Sequence, residues 1–222
     1  MVTPAIYRVH HIERLPLRTP YPAQVARVQY LKSRLPRDAT LVIDDGGSRG
    51  VGDMFVDVGL DPVRVSIVHG LDVHWRDRHV TVPKATLVSM LVARLHSGEL
   101  AVHESLKDWP ILRRELLNFR PETTRTGVET WNARSGEHDD CVLSLAMAIW
   151  YLGNPEPWSG LIRFYALAAG SAGRSQWVLS MDIGQAVDPS ALTIVEKVEH
   201  PSPADLRDEF RLQSAVEATP AP

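Results

Sequence analysis

Apolar and polar positions along the chain change period several times, and each change marks an element. Over 6–15 the pattern alternates, with Ile6, Arg8 and His10 set against Tyr7, Val9 and His11, as a half-buried strand requires. Past Pro16, Pro20 and Pro22 it shifts to helical spacing over 23–35, through Val25, Val28, Leu31 and Leu35, until Pro36 stops it. Residues 40–43 are a short apolar strand closed by Asp44-Asp45-Gly46-Gly47. Gly50-Val-Gly52-Asp53 then opens a short helix through Met54, Phe55 and Val58, with Gly59 placed to cap its end. Strands of the buried type are predicted over 63–68 and 79–82. Pro83 suits the first turn of the next helix, whose Leu87, Leu91 and Leu95 stripe runs out at Gly98. A strand at 100–103, a helix at 109–119 and extended chain over 123–133 follow.

In the last third, Gly136-Glu-His-Asp-Asp140 stands directly before a continuously apolar helix over 141–152. Either Asp139 or Asp140 would serve as its N-cap. Segments 154–158 and 168–175 have linker composition. Residues 177–181 and 191–195 read as two apolar strands joined by a connection bearing Gly184 and Pro189, and Asp182 stands where the first strand runs out. Residues 201–222, with four prolines, read as a loosely attached tail. Alternating strands and helices with apolar interior strands define an α/β domain over 1–200 with a mixed central sheet.

Composition narrows the possibilities. The 222 residues are 44% hydrophobic and 23% charged, ordinary values for a soluble globular chain that can bury a core. Cys141 alone excludes a disulfide framework and fits a reducing compartment. No apolar run approaches the ~18 residues needed to span a bilayer and no secretory signal pattern opens the chain, so a cytoplasmic protein without a membrane partner is expected. The net charge is −3, yet residues 1–37 hold Arg8, Arg14, Arg18, Arg27, Lys32, Arg34 and Arg37 against the acids Glu13 alone before Asp38. Such a segment suits a phosphate backbone or simply a solvated face.

Three acidic sites share one description. Asp44 and Asp182 end strands, and Asp139-Asp140 begins a helix. Turn formation alone would explain an Asp beside a Gly. Open α/β sheets, however, place function at the carboxyl ends of their strands. Carboxylates crowded there repel and take up protons unless a cation holds them. Oxygen ligands of this kind suit Mg²⁺ or Mn²⁺ rather than Zn²⁺, and two such ions ~3.5–4 Å apart can drive phosphodiester hydrolysis. Zinc-type Cys/His spacing is absent from the sequence, which holds a single cysteine.

Taken together, Met181-Asp-Ile-Gly-Gln-Ala-Val-Asp-Pro-Ser-Ala-Leu192, Ile12-Glu-Arg-Leu-Pro-Leu17 with Pro20-Tyr21-Pro22, Leu41-Val-Ile-Asp44, Gly50-Val-Gly52, Val82-Pro-Lys84 and Gly136-Glu-His-Asp-Asp140 carry a family resemblance. The sequence resembles the nuclease domain of tailed-phage terminase large subunits over about residues 6–165 and 176–199. The resemblance implies a ribonuclease H-like three-layer fold and a metal-dependent endonuclease that cuts concatemeric DNA during packaging. It implies catalytic and metal-binding roles for Asp182, Asp44 and Asp140, with Asp139 an accessory ligand or cap and Asp188 a further candidate ligand. Lys84, Arg49 and Arg18 become candidates to hold phosphates of double-stranded DNA. His138 reads as flanking the helix start, and His10, His11 and His69 receive no role.

Two departures from the family are visible. Its first strand, the one ending in Asp182, here follows everything else. Joining residue 200 to residue 5 restores the usual order, so the domain reads as a circular permutant with 168–175 as the new link. The ATPase half is also missing: no G-x-x-x-x-G-K-[ST] occurs, and Gly46-Gly-Ser-Arg-Gly-Val-Gly52 lacks the lysine. A separate packaging ATPase and a portal are therefore the expected partners, in the host cytoplasm if the protein is viral. Two other readings are a non-catalytic DNA-binding or assembly module and a resolvase acting on branched DNA.

Overall fold

The two strands nearest the end of the sequence form the middle of the sheet. In a computed structural model that describes residues 5–46, 50–70, 72–123, 129–132, 138–154, 175–184 and 188–199, β9 (Ser175–Asp182) and β10 (Ala191–Glu199) pair as an antiparallel hairpin. β10 also pairs antiparallel with β1 (Ala5–Arg14), from Ala5 opposite Glu199 to Arg14 opposite Ala191. β9 pairs in parallel with β2 (Thr40–Asp44), which continues to β3 (Val63–Val68), β5 (His79–Pro83) and the edge strand β4 (His74–Arg76). On the far side, β6 (Leu100–Val102) runs parallel to β1. The result is one eight-stranded mixed sheet, ordered β4-β5-β3-β2-β9-β10-β1-β6. A separate hairpin joins β7 (Arg120–Thr123) to β8 (Glu129–Asn132); β8 lies within the stretch expected to be extended, and β7 begins three residues before it.

Strand pleating divides the core between two faces. Leu41, Ile43, Leu179, Met181, Leu192 and Ile194 point to one face and bury α1 (Tyr21–Ser33) and α2 (Val51–Asp57). Val42, Val65, Val178 and Val195 point to the other, under α3 (Lys84–His96), α4 (Trp109–Asn118) and α5 (Asp140–Gly153). Helices on both faces of a mixed sheet make a three-layer α/β fold, which agrees with the ribonuclease H-like architecture expected from the sequence. Among the described residues no helix is long and apolar enough to cross a membrane.

Helix ends follow the punctuation in the sequence. Pro22 lies in the first turn of α1, and Gly59 and Gly98 take φ of +80° and +66° just past α2 and α3. Two local features escaped the pattern. The alternation of β1 breaks at His10, where a bulge between Val9 and His11 lets both Val9 and Ile12 face the core. β4 is only three residues long and turns back through Asp77 at φ +52°, too short for a periodic signal. Of the linker expected at 168–175, only Ser175 is described, as the first residue of β9; residues 168–174, the tail at 201–222 and Arg49 lie outside the described residues.

Because β9 and β10 separate β1 from β2, a chain ending at residue 174 should not fold. The facing edges of β1 and β2 would lose their partners, and each buried backbone group left unpaired costs about 1–3 kcal/mol. Against a total stability of ~5–15 kcal/mol a few such losses are decisive. Circular dichroism melts should show no cooperative transition for that truncation, while removal of 201–222 leaves the transition within a few degrees. A cooperative melt from the shorter chain would contradict the central position of the hairpin.

Candidate active site

β9, β2, β3, β5 and β1 all run in one direction, so their carboxyl ends share one edge of the sheet. Asp182, Asp44, Lys84 and Arg14 are the residues at or just beyond four of those ends. Ile43 and Met181 are register partners, which sets Asp44 and Asp182 side by side on adjacent strands. Both have the parity of Val42 and Val178, so they face α5 and not α1. The first turn of α5 arrives over that same edge with Asp139 and Asp140. Ser180, two residues before Asp182, donates its hydroxyl to the carbonyl of Ser144, one turn after Asp140, at 2.6 Å. This buried contact fixes the helix against the strand directly beneath the acids.

Each acid has a different environment. Asp182 is 8% exposed and, among the described residues, accepts no hydrogen bond. Burial first, then the neighbouring charges of Asp44, Asp140 and Asp139, hold its proton well above the usual carboxylate range, with Lys84 opposing. Asp44 accepts the N–H of Gly46 at 2.9 Å in a tight turn that ends β2, yet burial still raises its pKa, with Asp45 adding to the effect. Asp45 itself turns the other way, toward the N–H of Gly52 and toward Arg64 at 3.6 Å. Asp140 is pushed up to about 6 by burial, against the pull of Arg14 and His138 and with the charges of Asp139 and Asp188 adding to the rise.

The remaining candidates are distributed around this group. Lys84 donates to Asp139 Oδ2 at 2.8 Å and lies over the Phe119 ring. Asp188 is exposed on the loop between β9 and β10, with Oδ1 3.8 Å from His138 Nδ1, and the same nitrogen lies 3.8 Å from Asp140 Oδ2. The neck of that loop is tight: the Gly184 N–H donates to Ser190 Oγ, and any side chain at Gly184 would strike the backbone oxygens of Asp188 and Pro189. Ser190 Oγ donates onward to the buried Gln24 of α1, while the Leu15 N–H donates to the Ser190 carbonyl. Arg18, exposed at φ +66°, stands three residues further along that anchored loop. Three of the seven cations of the basic segment have acidic partners, Arg8 with Glu196, Arg27 with Glu13, and Arg14 with Asp140. His10 bonds Glu196 and packs at a tilt against the Trp177 ring, and His11 bonds Glu13, so both serve the sheet surface.

Two residues of this neighbourhood carried no signal in the sequence. Glu115 and Asp108, both buried, come from α4 and its leading turn. Their sequence neighbours are apolar or basic, and only the packing of α4 on α5 reveals them.

An all-oxygen donor set, buried and mutually repelling, is chemically suited to a hard divalent cation. Among the described residues, however, no three His, Cys, Asp or Glu side chains are drawn close enough to hold one ion. No family model and no curated protein matches the chain. Among solved structures the chain is similar to the large terminase nuclease from thermophilic phage G20c, crystallised with bound cobalt. The two are 26% identical over an alignment covering 65% of this chain and 80% of that one, with a TM-score of 0.44.

The raised pKa values predict an inverted pH dependence of stability in the absence of divalent metal. Asp140, at about 6, and Glu115, at about 7, bind their protons more tightly folded than unfolded, where 3.8 and 4.5 apply. Between those limits the folded chain holds more protons than the unfolded one, so stability falls as pH rises. Glu13 and Glu196, held low by Arg27 and His10 against their own burial, act below that window. The melting temperature should therefore be lower at pH 7.5 than at pH 5. Asp182→Asn should flatten this slope and raise the pH 7.5 melt by about 2–4 °C for each kcal/mol of repulsion removed. An Asn variant that melts lower than the parent would show that the carboxylates do not repel.

Proposed function

We propose that this chain is a divalent-metal-dependent DNA endonuclease of the phage terminase large-subunit type. The observation that supports it most is the convergence of Asp44, Asp182 and Asp140 from two adjacent strand ends and one helix start, all on one face of the sheet. In this reading Asp182, Asp44 and Asp140 are the oxygen ligands of Mg²⁺ or Mn²⁺. Asp139, held by Lys84, and Asp188, on its anchored loop, lie at the margin of the set. Two bound cations would supply an activated water and stabilisation of the leaving oxygen in phosphodiester hydrolysis. The chain's own task is to hold those carboxylates rigidly in place, through the β2–β9 register, the Ser144–Ser180 contact and the tight neck at Gly184.

The substrate in this reading is double-stranded DNA, cut from a concatemer during genome packaging with a separate ATPase and a portal as partners. In this reading Arg18 meets a phosphate, which its exposure on the loop bonded to the one that bears Asp188 supports. Lys84 acts from within instead, as the partner of Asp139 and the cation that offsets Asp182. The permuted chain order also gains support. Ala5 and Glu199 face each other at the end of β1 and β10 opposite the acids, where a hairpin connection would otherwise run. A break there leaves both strand pairings intact.

A second reading has one observation in its favour. The carboxylates fall short of a ligand cluster, as they would in a DNA-binding or assembly module that kept the fold and lost the chemistry.

Nicking of supercoiled plasmid in Mn²⁺ separates the two. The wild-type protein should relax plasmid with metal and not with EDTA, and Asp44→Asn or Asp182→Asn should lower the rate by at least ~10³-fold, as loss of a group essential to the reaction does. Asp188→Asn should cost about tenfold, since it leaves the strand-end pair in place. Near wild-type nicking by the Asp44 or Asp182 variant would refute these assignments, and a wild type that binds DNA without cutting it would favour the second reading.

A further inference from the structure

α5 begins without the side-chain cap its sequence offers. Asp139 occupies the N-cap position, yet its carboxylate makes no hydrogen bond to the helix and accepts one from Lys84 instead. The open N–H groups of the first turn are met from another helix. Glu115 Oε2, on α4, accepts from the N–H of Cys141 at 2.9 Å and of Val142 at 3.2 Å. Glu115 is 3% exposed. Its other oxygen, Oε1, accepts no hydrogen bond and lies 3.8 Å from Nη1 of Arg14.

Arg14 in turn joins this carboxylate to the proposed ligand set. Its Nη2 donates to Asp140 Oδ2 at 3.3 Å, and its backbone N–H donates to the buried carboxylate of Asp108 at 2.9 Å. One guanidinium at the end of β1 is thus divided between Glu115 and Asp140. Glutamate is almost never buried this deeply unless it is paired, and capping alone needs only a short polar side chain on the helix itself. The arrangement instead fixes where the first turn of α5 lies and how much of Arg14's charge reaches Asp140.

We propose that Glu115 is a positioning residue for Asp140, acting through its hydrogen bonds to the start of α5 and through the Arg14 it shares with Asp140. This role rests on the nuclease reading above. With the Glu115 carboxylate in place, Arg14 is shared between two acids and the first turn of α5 is held where it carries Asp140. Without that carboxylate, Arg14 would be left to Asp140 and would compete there with a cation.

Glu115→Gln and Glu115→Ala test it, with Mn²⁺ as the probe. Glutamine keeps an oxygen for the two N–H groups, so its metal-free melt should stay within a few degrees of wild type. Its affinity for Mn²⁺, measured by calorimetric titration, should nonetheless fall about tenfold, and kcat for nicking should fall with KM for DNA unchanged. Alanine should add a clear loss in melting temperature to the same losses. Wild-type affinity for Mn²⁺ in the glutamine variant overturns the positioning role while the nuclease reading stands. A wild-type protein that takes up no Mn²⁺ overturns that reading and this role with it.

Discussion

The pairing of β9 with β2 is the constraint on which the rest of the arrangement depends. It brings two carboxylates to neighbouring positions at the end of a buried sheet, one of them almost fully enclosed and without a hydrogen-bond donor among the described residues. Ionised carboxyl groups are not placed so without compensation, because loss of hydration costs several kcal/mol per ion. The nearest compensating cation, Lys84, is already bonded to Asp139. An apolar residue at position 182 would pack better and remove the repulsion. The surrounding structure works against that simplification: α5 is tied to β9 by Ser144 and Ser180, capped by Glu115 and approached by Arg14, all within a turn or two of the acids. Like charges and the contacts that organise them are thus concentrated at one edge of the sheet, the pattern on which the proposed site rests.

The two edges of the sheet are accordingly different in kind. One gathers strand ends, acids, a lysine and an arginine. At the other, Ala5 and Glu199 face each other across the β1–β10 pair. The strand bearing Asp182 thus lies near the end of the sequence and at the centre of the sheet.

Much of this was legible in the sequence, for reasons that are particular. The strand ends at Asp44 and Asp182 stand out because an apolar run stops at an acid followed closely by glycine, and Asp139-Asp140 because an unbroken apolar helix begins there. Helix limits at Gly59 and Gly98 were fixed by glycines that take positive φ. The bulge at His10 was not legible, since it depends on the register of a partner strand almost two hundred residues away. Neither was Glu115, whose local pattern is that of any amphipathic helix and whose function comes from where α4 packs. Lys84 was readable as a cation near the site, but its bond to Asp139 requires the start of α3 and the start of α5 to meet. Local motifs showed which residues could do chemistry, and tertiary packing decided what each one touches.

The most direct test of the central claim is a crystal of the protein soaked in Mn²⁺, with data collected at a wavelength where manganese scatters anomalously. The account predicts an anomalous peak bonded to Asp182 and flanked by Asp44 and Asp140, at the ~2.0–2.2 Å distances of oxygen-ligated divalent ions. Clear density for the three side chains with no peak between them, at Mn²⁺ concentrations that saturate ordinary sites, would contradict it.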